Sequence, residues 1–330
     1  MTRKAQKRPG EFALIERYFR PLATDPAALE LRDDAALYPQ RPGDDLVITA
    51  DMVVAGVHFF ADDPPDLIAR KALRVNLSDL AGKGAEPFGY LLSLGLPSNW
   101  TETWIKRFTA GLAADQKQYG VHLLGGDTTR VAGSLTVAIT ALGRTEKGQM
   151  VRRSGAKPGD IVFVSGTIGD GALGLRVRRG RLARRMKYAG HLLDRYLLPQ
   201  PRIALAPVVR RFASAAIDVS DGLVGDLTHI CDVSGVGAEI EAEFVPLSPG
   251  ADAVLTADVR MLPVILNGGD DYEILATVSP ANADPFTAAA KAAGVAVSRI
   301  GEILTGKGPA VVRDANGKVL KLTTKSHTHF

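Results

Sequence analysis

Apolar positions along this chain switch repeatedly between helical and strand spacing, so helices and strands are interleaved from end to end. GEFALIERYF (10–19) places its apolar residues on one helical face and predicts an amphipathic opening helix. DDLVITADMVV (44–54) predicts a strand. PPDLIARKALRVNLSDLAG (64–82) predicts a helix that starts on prolines and stops at glycine, with Leu67, Ile68, Ala72, Leu73, Val75 and Leu80 to bury. GYLLSLGLP (89–97) is a strand ended by proline, and ETWIKRFTAGLAADQKQYG (102–120) a helix closed by Gly120. VHLLGGD (121–127) and SLTVAITALG (134–143) are strands. RRSGAKPGD (152–160) is a polar Gly/Pro turn with the look of a domain junction. Beyond it come strand IVFVSG (161–166), helices near 170–179 and 184–196, and a break at LPQPR. ASAAIDVSDG (213–222) runs from strand into acidic turn; GDLTHICDVSG (225–235) is a helix and GAEIEAEFVPL (237–247) an alternating strand. YEILATV (272–278), ADPFTAAAKAAG (283–294) and VAVSRIGEIL (295–304) are strand, helix and strand. The order predicts an α+β chain of two α/β domains, 1–148 and 149–330.

Composition narrows the class. The 330 residues are 46% hydrophobic and 23% charged, as in a globular protein. No apolar run approaches the roughly 20 residues of a membrane helix, and the basic start MTRKAQKRPGEF lacks a signal-peptide core. The single cysteine, Cys231, excludes an intramolecular disulfide and a thiolate zinc site, and a reducing cytoplasm is the compartment expected. A net charge of +4 is too small to imply nucleic acid. The sharpest basic run, RVRRGRLARRMK (176–187), reads as a solvated helix face, because no aromatic residue is interleaved to stack on bases.

The chemistry lies in the aspartates. They cluster in LRDDAAL (31–37), VITADM (47–52), VNLSDLAGKGAEP (75–87), LLGGDTTR (123–130), AIDVSDGL (216–223) and LNGGDDYEI (266–274), each beside an apolar run. Aspartate is a poor strand or helix-interior residue, so carboxylates at the ends of core segments point to a ligand. Oxygen ligands of this kind suit Mg²⁺ shared with phosphate and water. Capping and ordinary turns are the bland alternative for Asp33–Asp34, for Gly-Asp at 126–127, and for Ser220 and Asp221. SGTIGDGALGL (165–175) resembles a nucleotide loop, yet it has no Walker lysine and no acid about 20 residues on, so it reads as a tight strand-to-helix turn.

Taken in order, GEFALIERYF, ADMVVAGVHF, ARKALRVNLSDLAGKGAEP, GGDTTR, RRSGAKPGD, AIDVSDGL, NGGDDYEI and the terminal HTHF resemble the thiamine-monophosphate kinase family over nearly the whole chain. That family is similar to aminoimidazole-ribonucleotide synthetase and selenophosphate synthetase. The resemblance implies two α/β domains of that type, a homodimer formed through the N-terminal sheet, and phosphorylation of thiamine monophosphate by ATP with several Mg²⁺ ions. It implies that Asp34, Thr49, the Ala50 backbone, Asp51, Asp79, Asp127, Asp218 and Asp221 hold Mg²⁺. Gly126, Asp127, Arg153, Ser220 and Tyr119 would contact ATP, and His58, Asp270 and His327 the thiamine substrate. The chain departs from the family pattern at Ala50, often threonine; at Leu31–Arg32, elsewhere glycine-rich; at Asp270–Asp271, commonly Glu-Asp; and at His327, in place of a larger ring.

Charge supports the same reading. A phosphate monoester carries about −1.5 to −2 at pH 7 and is already ionised, so no residue is expected to act as acid or base. Two rival classes stand beside it: another ATP-dependent enzyme of the superfamily, and a non-catalytic nucleotide- or metal-binding member. Selenophosphate synthesis would want a reactive cysteine near the N-terminus, and Cys231 is far downstream.

Overall fold

A computed structural model describes residues 9–322. His327 and the rest of HTHF lie outside the described residues. The described residues fall into two compact units. One contains the chain through Asn76 together with Pro87–Arg144; the other contains Leu77–Glu86 and the chain from Thr145. The stretch 77–86 therefore groups with later residues, unlike a single cut at 148.

In the first unit, the opening helix is α1 (Glu11–Leu14), continued by π-helical Ile15–Phe19 and a 3₁₀ turn at Arg20–Leu22. A further 3₁₀ segment, Pro26–Leu31, contains Leu29, Glu30 and Leu31 at φ of 48°, 57° and 54°. These three residues adopt the left-handed conformation that glycine takes without a Cβ penalty; of the Leu31–Arg32 pair, Leu31 is left-handed and Arg32, at φ −110°, is not. Strands β1 (Asp44–Val54), β2 (Glu86–Leu96), β3 (His122–Arg130) and β4 (Thr136–Glu146) form a sheet in the order β1-β4-β2-β3. β2 and β3 are parallel, as their connection through helix α3 (Glu102–Tyr119) requires. Gly120 closes α3 at φ 67°.

Helix α2 (Pro65–Gly82) buries Ile68, Ala69, Ala72, Leu73 and Val75. It is tied to α3 by charge. Arg74, only 1% exposed, donates to both carboxylate oxygens of buried Asp115 at 2.7 and 2.9 Å, and Arg70 adds a third bond at 2.8 Å.

The second unit continues with β5 (Ile161–Ser165), α4 (Asp170–Arg178), α5 (Ala189–Leu197), α6 (Ala206–Phe212), β6 (Ala213–Asp218), α7 (Leu223–Ser234) and β7 (Gly237–Glu241). After these come α8 (Pro249–Ala257), α9 (Leu262–Asn267), β8 (Ile274–Val278), α10 (Ala283–Ala292), β9 (Val297–Leu304) and β10 (Ala310–Arg313). Its six-stranded sheet runs β10-β7-β9-β5-β8-β6. Both faces are covered, so its central strands read as continuous apolar runs. Val162, Val164, Ala215, Ile217 and Leu275 point into one core with α4, α5, α7, α8 and α9; Ile161, Phe163, Ala216, Ile274 and Ala276 point into another with α6 and α10.

Several elements differ from the sequence reading. β7 stops at Glu241, where a 3₁₀ turn (Ala242–Phe244) takes over. The basic run is not one helix: α4 ends at Arg178, Gly180 takes φ 69°, and α5 begins only at Ala189. Leu182 and Met186 pack on the core from that connection. Helices α6, α8 and α9 and strand β10 were not read, being short and, at α6, α8 and α9, opened by proline.

Candidate active site

In the first unit, β3 carries LLGGDTTR along its length. Gly126 sits at φ 149°, and a Cβ there would lie 1.8 Å from the Leu92 carbonyl oxygen of β2. Its glycine is thus demanded by strand pairing, whatever it does for a ligand. Asp127 follows, exposed. Asp33, Asp34, Gly125, Gly126, Asp127 and Thr128 line one cleft of about 790 Å³, whose apolar wall includes Phe12, Leu91 and Leu142. The structure therefore brings Asp34 to the Gly126–Asp127 pair across about 90 residues of sequence.

Thr49, Asp51 and Tyr119 are not among the residues lining that cleft. Thr49 and Asp51 share one face of β1, and the Asp51 N–H donates to the Asn76 side chain at 2.9 Å. Ala50 lies on the opposite face, exposed. Tyr119 ends α3 with the Arg74 guanidinium 5.2 Å over its ring. His58 Nδ1 accepts the Val54 N–H at 3.1 Å, so in the neutral ring the proton sits on Nε2.

In the second unit, β6 ends at Asp218, paired with Ile274 of β8. The two chains continue side by side past the ladder: Val219 N–H donates to Glu273, Tyr272 N–H to Val219, and Asp270 N–H to the Ser220 carbonyl, each at 2.8 Å. This extension sets Ser220 and Asp221 against Asp270. Asp270 and Tyr272 hold φ of 66° and 53°, and a Cβ on Gly269 would lie 2.2 Å from the Ser220 carbonyl oxygen, so the turn tolerates no bulk. The end of α2 joins this group, with Ser78 Oγ 3.5 Å from the Tyr272 carbonyl and Asp79 half-buried beside it in sequence. The segment leading to Arg153 docks on the same strand, where Ala216 N–H donates to Arg152 at 3.0 Å. Arg153 itself is exposed. Asp79, Arg153, Asp218, Ser220, Asp221 and Asp270 thus belong to one unit; backbone bonds join the segments of the last four and dock the 152–153 segment on β6, and the Ser78 hydroxyl brings in the Asp79 segment.

Residues 32–145 match the model for the AIR synthase related protein, N-terminal domain, and 157–314 that for the AIR synthase related protein, C-terminal domain. The thiamine-monophosphate kinase of Caulobacter vibrioides is 49% identical over 304 residues, 91% of this chain and 86% of its own. The chain belongs to the thiamine-monophosphate kinase family. A solved thiamine-monophosphate kinase from Stenotrophomonas maltophilia is 40% identical with a TM-score of 0.83, covering 94% of this chain and 98% of its own. AaThiL complexed with AMPPCP and TMP is 30% identical with a TM-score of 0.78 over 100% of both chains.

Among the described residues, no three Asp, Glu, His or Cys side chains gather tightly enough to hold a metal ion alone. The donor set still fits Mg²⁺. That ion rarely takes an all-protein cage; it uses one or two carboxylates and fills its octahedron with water and substrate phosphate. In the first unit Asp33, Asp34 and Asp127 line one cleft, carboxylates of the kind such a shell takes beside water and phosphate.

Side chains outside the sequence reading complete the picture. Asp226 is buried and accepts the Asp221 and Gly222 N–H groups at 3.1 and 3.2 Å; burial, with the nearby Asp221 charge, pushes its carboxyl up to about 7. Asp271 is fully buried and accepts the Gly169 and Gly171 N–H groups at 2.8 and 3.0 Å. The glycine-rich loop 165–171 therefore spends two of its N–H groups on an internal carboxyl, in keeping with its reading as a structural turn. Glu273 is buried among Ser165, Arg195 and Arg202. The signal for these acids was their placement one, three or five residues after a site aspartate, but their burial needs the fold.

Proposed function

We propose that this protein transfers the γ-phosphoryl group of ATP to the phosphate of thiamine monophosphate, giving ADP and thiamine diphosphate. The observation that carries the reading is full-length similarity to thiamine-monophosphate kinases, including one complexed with AMPPCP and TMP. No helix among the described residues is long and apolar enough to cross a membrane. A cytoplasmic location is part of the same proposal.

Asp34, Thr49, Asp51 and Asp127 of the first unit, with the Ala50 carbonyl, and Asp79, Asp218 and Asp221 of the second are proposed to hold Mg²⁺. Mg²⁺ held by these oxygens would supply positive charge to neutralise what develops on the transferring phosphoryl group. Gly126 and Ser220 offer hydrogen bonds to ATP, Arg153 a cation for its phosphates, and Tyr119 a ring beside the nucleotide. His58, Asp270 and His327 would orient the thiamine moiety. The acceptor oxygen is ionised at neutral pH, its second pKa being about 6, so the residues position and neutralise and none needs to take a proton.

The dimer implied by the resemblance has a candidate surface. Leu46, Ile48 and Met52 project from one face of β1 at 59%, 59% and 57% exposure, with Leu91 of β2 also exposed. A row of large apolar side chains open to water suits a second copy of the same face.

The deciding assay incubates the protein with ATP, Mg²⁺ and thiamine monophosphate, with thiamine or no acceptor in parallel. Equal ADP and thiamine diphosphate only with the monophosphate is expected; ADP without thiamine diphosphate would move the acceptor elsewhere, and no ADP would leave a binding protein. EDTA should abolish turnover. Asp79→Asn and Asp127→Asn should each lower kcat at least about 100-fold, in keeping with electrostatic positioning of phosphates, and near-normal turnover in both would remove the metal assignment.

A further inference from the structure

The second unit contains a lysine that the proposed chemistry does not use. Lys83 follows Asp79 by one helical turn, and its N–H donates to the Asp79 carbonyl at 3.0 Å, so both side chains leave the same face of the α2 end. Its Nζ donates to the Ala216 carbonyl at 2.7 Å, two residues before Asp218 on β6. Its own carbonyl accepts the Val151 N–H at 3.1 Å, two residues before Arg153.

The flanking glycines close the space. A Cβ on Gly82 would lie 3.1 Å from the Asp218 nitrogen, and one on Gly84 2.8 Å from the Arg210 Cβ. The Gly-Lys-Gly sequence thus presses the backbone onto β6 and α6 and leaves the lysine stem little room to swing away. Burial lowers the ammonium to about 8, Arg153 pulls the same way, and the Asp218 and Asp79 carboxylates pull it back up. Desolvating an ammonium is costly unless it is paired. Its hydrogen bond to Ala216 and the two acids supply that pairing.

We infer that Lys83 is a positioning residue whose fixed charge balances Asp79 and Asp218 while no metal is bound and holds their two segments together. The inference rests on the reading that these carboxylates bind Mg²⁺. Without a cation, acids at the ends of α2 and β6 repel; the lysine offsets that repulsion. Once Mg²⁺ arrives the same charge opposes it, so the ion binds less tightly than to an uncompensated pair and remains exchangeable.

The test is thermal unfolding of the full chain, with AMPPCP present throughout to supply phosphate ligands, across a Mg²⁺ titration starting in EDTA, for wild type, Lys83→Met and Lys83→Gln. The glutamine keeps a donor for Ala216 without the charge. Both variants should be destabilised most in EDTA, recover with Mg²⁺, show at least about twice the wild-type rise in Tm, and reach half-saturation at several-fold lower Mg²⁺. An equal loss of Tm at every Mg²⁺ concentration would overturn the inference and leave Lys83 a plain tie to Ala216. A wild type whose Tm ignores Mg²⁺ would overturn the metal reading itself, and the inference with it. Should the methionine variant not fold, the glutamine variant alone decides between these outcomes.

Discussion

Gly125 and Gly126 look equivalent in sequence and are not equivalent in the fold. A Cβ at 125 would meet only the end of the Leu91 side chain, at 3.3 Å, whereas at 126 it would overlap the Leu92 carbonyl. Gly125→Ala should cost less than about 1 kcal/mol, and Gly126→Ala more than about 3 kcal/mol or all soluble protein, by urea unfolding. In sequence Gly126 is a candidate ATP contact or turn glycine; its steric demand is hidden there because the partner strand is 34 residues upstream. Asp271 gives a second residue-scale prediction. Burial pushes its carboxyl up to about 8, with the charge of Asp170 adding to the rise and Arg195 opposing it. An unfolded aspartate titrates near ~3.9. The folded state therefore retains a proton that the unfolded chain releases, and this contribution to stability is present below about pH 4 and lost as pH rises to about 8. Asp271→Asn, which cannot titrate, should flatten Tm against pH across that window even if it lowers Tm throughout. An unchanged slope would place the wild-type pH dependence in other groups.

At the scale of elements, α2 and α3 are joined by Arg70, Arg74 and Asp115. Asp115→Ala should destabilise by about 3–5 kcal/mol in urea, because it leaves the Arg74 charge buried without its carboxylate. A loss under 1 kcal/mol would show that Arg74 finds water or another partner. The two helices were legible from their apolar spacing, prolines and Gly120, yet the ion pair was not, since 41 residues separate Arg74 from Asp115. The same contrast holds for the site. AIDVSDGL and NGGDDYEI were each legible as strand-end acid clusters; that their backbones run antiparallel past the ladder, bonding Asp270 to Ser220, is a tertiary fact. Short α8 and α9 escaped because six to nine residues opened by proline carry too little periodicity to be told from a loop.

For the whole molecule, the exposed β1 face makes assembly the decisive property. Ile48→Lys should convert a dimer to a monomer in analytical ultracentrifugation, because one buried charge on each side of an isologous contact counts twice. A wild-type monomer at micromolar concentration would remove the proposal. A protein that handles triphosphates also has to avoid trapping them in the wrong place. The 165–171 loop has the shape that phosphates favour, and the two Asp271 oxygens already occupy its Gly169 and Gly171 N–H groups. Asp271 works as a plug: truncated to alanine, it would open a vacant oxyanion nest, and sulfate would then raise the Tm of the variant far more than that of the wild type.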